Sequence, residues 1–183
     1  MALVKRDITT ADPSLNMPEQ PEVLDCNQLK DNLFGSNPIK RRQAAQDIIK
    51  CDGASELLLT QLKQETSSSV RQVILTSLTH IGDQIAVQGL ANCLRLEDAA
   101  LRNEAIEAMK QLPDQVAQVV PELLRDEDPD VRIFTVNILE SLCHQDVEDW
   151  LIEVLEQDDH LNVINTAIDL LGEVGTEAAV EAL

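Results

Sequence analysis

Tyrosine is absent from this 183-residue chain, and its only aromatic residues are Phe34, Phe134 and Trp150. A core must therefore be built from Leu, Ile, Val and Ala, which suits helices crossing closely through small residues. No apolar run approaches the roughly 20 residues a membrane-spanning helix needs, so a transmembrane helix is excluded. The N-terminus lacks the apolar stretch of a signal peptide. Among six glycines there is no phosphate-cradling loop. The four cysteines, Cys26, Cys51, Cys93 and Cys143, show no C-x-x-C spacing. They read as small core residues in a reducing compartment, which makes the cytoplasm the expected location. Positive charge is scarce as well: net charge is −19, and no Lys or Arg follows Arg132, whereas twelve acids do. Residues 1–50 balance seven basic residues against seven acids, so the rest of the chain carries the whole deficit. Such a charge repels a phosphate backbone and an anionic membrane surface, which argues against nucleic-acid binding and membrane insertion.

What the chain does have is a repeat, clearest from Asp128 to Leu139. Asp128 can cap a helix by accepting from free N–H groups of the first turn. Pro129 then occupies the first helical position, where its missing N–H costs nothing. Val131, Thr135 and Leu139 follow at spacings of four and share one helix face. A short polar stretch leads to a second segment with Val147, Leu151 and Leu155, again four apart. The Val131 position is matched by Lys40, Val70, Leu101 and Val163, at steps of 30, 31, 30 and 32 residues. The next position reads Arg41, Arg71, Arg102 and Arg132, and then Ile164. Four and eight residues further on come Ala44/Ile48, Ile74/Leu78, Ala105/Met109, Thr135/Leu139 and Ala167/Leu171. The second segments supply Leu58/Leu62, Leu90/Leu94, Val120/Leu124 and Leu151/Leu155. Five copies at a near-constant period predict an all-α solenoid of about five helix–turn–helix repeats.

The D-P-x-V-R-x-x-x-x-x-x-L pattern, with glycines after the first helices at Ile81-Gly82 and Val174-Gly175, resembles HEAT-like repeats. It is most similar to the short bacterial kind first associated with phycobilisome lyases, over about residues 25–183. The resemblance implies the solenoid fold and a use mainly in binding. It also implies a second function, a lyase-type subunit that holds a tetrapyrrole while it is attached to another protein. Metal-dependent hydroxylases built on this type of repeat use His-Glu pairs, and none of His80, His144 and His160 is followed by Glu.

Residues 1–21, with Pro13, Pro18 and Pro21, read as a disordered or loosely attached arm. Residues 22–183 form the repeat domain. Residues 24–34 should make a lone capping helix, with Gly35 in the left-handed position beyond its end. Repeats follow near 37–64, 67–95, 98–125, 128–156 and 160–183, and Pro121 should kink or delay the second helix of the third. The fifth repeat stops at Leu183 inside its second helix. Either the chain is cut short there or the open end is covered by something else, self-association through that repeat included.

Candidate chemistry is sparse. The Arg ladder fits pairing with acids or carbonyls at inter-repeat turns better than an anion site. Asp126, Asp128 and Asp130 alternate as in a calcium loop, but Val131 stands where that loop needs Gly and Asn137 where it needs Glu. Cys143, His144 and Asp146 lack a second ligand group of matching spacing, so no metal or other cofactor is expected. No catalytic residue is assigned, and the chain reads as a non-catalytic binding scaffold. Trp150, beside Leu151, reads equally as partial core and as a binding anchor. The surface positions around each second-helix pair run Glu56, Thr60, Lys63; Gln88, Asn92, Arg95; Gln118, Glu122, Arg125; and Asp149, Glu153, Glu156. They form one stripe that turns from mixed to wholly acidic. A protein partner with a basic helix or tail is expected there, on Glu122, Asp149, Trp150, Glu153 and Glu156.

Overall fold

The computed structural model describes residues 25–176 and Ala179, all of them helix, turn or loop. The expected arm over 1–21 and the second helix of the fifth repeat lie outside the described residues. A short helix, α1 (Cys26–Leu33), precedes two layers of helices. The first-helix layer contains α2 (Pro38–Asp47), α4 (Ser68–Ile81), α6 (Ala99–Met109), α9 (Pro129–Leu139) and α11 (Leu161–Val174). The second-helix layer contains α3 (Ala54–Leu62), α5 (Gln84–Cys93), the pair α7 (Pro113–Ala117) and α8 (Val120–Leu123), and α10 (Val147–Gln157). Successive first helices touch, α2 on α4 for instance, and α3 touches α5, while each second helix packs on the first helix of the next unit, α3 on α4, α5 on α6, α8 on α9 and α10 on α11. No described helix is long and apolar enough to cross a membrane.

Local chemistry starts these helices. Asp25, Asn37, Asp83, Asp98 and Asp128 each accept a backbone N–H from the first turn of the helix they precede, satisfying donors that helical bonding leaves over. Pro121 has the effect its missing N–H requires. The second helix of the third unit breaks into α7 and α8 across Gln118 and Val119. Gly82 ends α4 with φ of 58° and Gly53 precedes α3 with φ of 71°, conformations that cost a side-chain-bearing residue. Gly35 is corrected: its φ is not positive, and α1 ends through Phe34, whose N–H bonds back to the Lys30 carbonyl. Glycine suits that site for a different reason, since a Cβ would stand 3.3 Å from the carbonyl oxygens of Asp31 and Asn32.

The ladders meet in one continuous core. Ile74 and Leu78, Ala105 and Met109, Thr135 and Leu139, and Ala167 and Leu171 are all buried. Leu58, Leu62, Leu90, Leu94, Val120 and Leu151 are buried across from them, and Leu155 is partly so. Thr135 spends its hydroxyl on the Val131 carbonyl one turn back, so a polar side chain stands in the ladder with its hydrogen bond satisfied. Lys40, at the template position of the first unit, is exposed, as its charge demands.

The cysteines depart from expectation. Cys26, at the start of α1, and Cys51, after the 3-10 turn that follows α2, form a disulfide with Cα atoms 5.8 Å apart. Cys143 is exposed, and Cys93 alone is a buried thiol among the described cysteines, its pKa pushed up to about 11 by burial. The sequence separation of 25 between Cys26 and Cys51 concealed the contact, because docking of α1 on α2 brings them together. Disulfides persist in oxidising surroundings, so the step from unpaired cysteines to a reducing compartment loses its premise.

Candidate functional site

The Arg ladder holds the turns between units. Arg41 places its guanidinium fork on Glu65, with Nε and Nη2 donating over 2.7 and 2.9 Å, while Nη1 donates to the carbonyls of Gly35 and Ser36. Arg132 repeats this with Asp158 and the carbonyls of Asp126 and Glu127. Each of these two thus clamps the turn before its own helix to the acid at the end of its own repeat. Planar bidentate pairing of this kind is what guanidinium does best. Glu65, its side chain 1% exposed, is held ionised down to about 2 by the Arg41 hydrogen bonds, helped by the Ser67 N–H and Gln61. Burial pushes the Asp158 carboxyl up, but the Arg132 fork and the His160 N–H outweigh it and leave it below the usual carboxylate range.

The other two differ. Arg71 donates to Asp98 and lies beside Glu104. Arg102 bonds the Leu96 carbonyl and lies 5.2 Å from the centre of the Phe134 ring, because Asp126, the acid in the matching turn, pairs with Arg95 instead. The ladder is thus occupied by internal partners. The acids that occupy it were not legible as such, yet a signal existed: Glu65, Asp126 and Asp158 each precede a helix cap by two residues and accept that cap's N–H.

The stripe residues fall on the surface of the second-helix layer. Glu122 on α8, and Asp149 and Glu156 on α10, are exposed and make no ion pair among the described residues. Glu153 is half-buried and pairs with Arg125, the last cation along the stripe, which is 60% exposed. Glu148, also on α10, is held below the usual range by the Thr176 N–H and hydroxyl. Asp149 lies in the first turn of α10, where the helix dipole favours an acid. Trp150 requires correction as an exposed anchor. It is 9% exposed, and its ring stacks on His144 at 5.1 Å, because the position beside Leu151 turns toward the His144 loop rather than water. The turn around Cys143, His144 and Asp146 is organised by that stack and by the Asp146 N–H donating to His144 Nδ1.

These features define a helical-repeat protein, and a sequence profile of HEAT repeats matches residues 55–124 and 116–183, more than half of the chain. The chain belongs to the HEAT-repeat family. No curated protein matches it. Among solved structures it is similar to the complex of CpcE and CpcF of phycocyanin lyase from Nostoc sp. PCC7120, at 19% identity and a TM-score of 0.43. That match covers 94% of this chain and 85% of the other. It is also similar to an engineered protein, at 18% identity and a TM-score of 0.44, covering 87% of this chain and 83% of that one.

Proposed function

We propose that this chain is a non-catalytic protein-binding scaffold whose acidic second-helix face takes a Lys/Arg-rich helix or tail of a partner protein. The observation that supports the reading is the exposure of Glu122, Asp149 and Glu156 on one face with no cation paired to them among the described residues. Neighbouring carboxylates repel, and a cationic partner relieves that repulsion and gains in association rate. The tetrapyrrole reading asks for several cations around an apolar pocket. Among the described residues the cleft between α3 and α5 has only Lys63 as a charged residue in its lining.

The test is capture from native lysate by the wild-type chain, by a variant with Asp149, Glu153 and Glu156 all changed to Lys, and by Glu56→Lys as control. Because the triple change also breaks the Arg125–Glu153 pair, Arg125→Ala is run beside it. A basic protein retained by the wild type and both controls but lost from the triple variant supports the reading. Equal retention by a folded triple variant refutes it.

A further inference from the structure

The second-helix layer has a second feature, at its other end. Between α3 and α5 runs an open cleft of about 640 Å³, within the ~300–1,000 Å³ of typical binding pockets. Its lining is mainly apolar, with Leu59, Leu62, Ile85, Leu96 and Leu101 contributing. Ile85 and Leu96 are left 43% and 37% exposed. Gly89, in the middle of α5, shapes the floor: a Cβ there would stand 2.3 Å from the tip of Leu59, so the missing side chain lets Leu59 lie down against α5. The rim carries Lys63 and the amides of Gln84, Gln88 and Asn92, and among the described residues no acid lines the cleft although the chain has a net charge of −19.

We infer that the cleft is the apolar half of a bipartite docking surface for an amphipathic helix of a partner protein, whose Lys/Arg-rich other half reaches Asp149, Glu153 and Glu156 on α10. This rests on the acidic-face reading above and gives its partner a shape and a direction. Aliphatic side chains entering the cleft desolvate no carboxylate. Charge then fixes the orientation, because a basic end placed over Lys63 would be repelled and one placed over α10 attracted. The lengths agree as well. Packed helices lie about 8–10 Å apart, so α10, two units beyond α5, is roughly 20 Å away. A partner helix covers that in about 13 residues at its rise of ~1.5 Å per residue. A helix anchored by residues at i, i+3, i+4 and i+7 is the familiar way to fill such a groove.

The test uses a fluorescent peptide of about 22 residues, its first half carrying Leu at i, i+3, i+4 and i+7 and its second half rich in Lys and Arg. A comparator has Ser in place of each Leu. Fluorescence anisotropy should show the parent peptide binding the wild-type chain at least about tenfold more tightly than the comparator. The double variant Ile85→Asp, Leu96→Asp should lose that advantage with its helical circular dichroism unchanged, since both side chains are already half in water. Equal binding of parent and comparator, or full parent affinity in the double variant, overturns the inference. Loss of affinity confined to the triple α10 variant does so too, but leaves the acidic-face reading standing. Loss confined to the cleft variant overturns the acidic-face reading and the bipartite arrangement with it.

Discussion

Changing Glu65 to Gln removes one charge from a side chain 1% exposed and leaves its shape in place. Arg41 then faces one amide oxygen and the Gly35 and Ser36 carbonyls, with no carboxylate to compensate its charge. The pairing lowers the Glu65 carboxyl from 4.5 to about 2. A tenfold change in proton affinity is worth about 1.4 kcal/mol, so that lowering corresponds to about 3 kcal/mol at neutral pH, in line with the ~3–5 kcal/mol seen when a buried pair is broken. The sign follows from linkage. The folded pKa is depressed, so the stabilisation is complete above the unfolded value near 4.5, declines as pH falls, and is gone below about 2. Urea melts of wild type and Glu65→Gln should differ by about 3 kcal/mol at pH 7 and by roughly half that or less at pH 3. Glu107→Gln, which breaks the exposed Lys110–Glu107 pair, should change stability by less than about 0.5 kcal/mol at either pH. A Glu65→Gln penalty that is the same at both pH values, or no larger than that of Glu107→Gln, refutes the reasoning.

Leu139→Ala and Leu151→Ala should each cost roughly 2–5 kcal/mol in urea melts, because both side chains are buried between packed helices, while Lys110→Ala should change little; equal effects from all three would contradict the packing. Thiol titration of the unfolded, unreduced chain should count Cys93 and Cys143 but not Cys26 or Cys51, and in the folded chain exposed Cys143 should react far sooner than Cys93. Reducing the Cys26–Cys51 bridge, which closes a loop of 25 residues, should lower stability by about 3 kcal/mol; four reactive thiols without reductant would remove the bridge from the account.

The fold was legible because each unit writes the same instructions. Apolar residues every four positions recur at a near-constant period, a side-chain cap starts three of the first helices and an early proline two of them, so a weak local signal is read several times over. Even Pro121 was readable, since a missing N–H acts locally. What remained hidden depends on pairing across units. The place of Glu65 two residues before a helix cap is a weak local signal; what makes it a buried pair is the fork of Arg41, 24 residues away in sequence. Cys26 and Cys51 stood in the same position, since the docking of α1 decides their distance. Trp150 was ambiguous because its helix position borders both core and water, and the stack on His144 settles it inward. Of the candidate stripe, surface placement followed from spacing, but the Arg125–Glu153 pair did not. It leaves Glu56, Glu122, Asp149 and Glu156 as the stripe acids with no ion-pair partner among the described residues.

The proposed binding of basic protein segments to this face is checked by measuring association of a Lys/Arg-rich peptide with the chain at about 50 and about 200 mM salt. The measurement is repeated with Asp149→Lys, Glu156→Lys, which spares the Arg125–Glu153 pair. The wild-type association rate should fall several-fold between the two salt concentrations, and a folded double variant should bind weakly at both. Binding by the double variant that matches wild type at the lower salt would contradict the proposal.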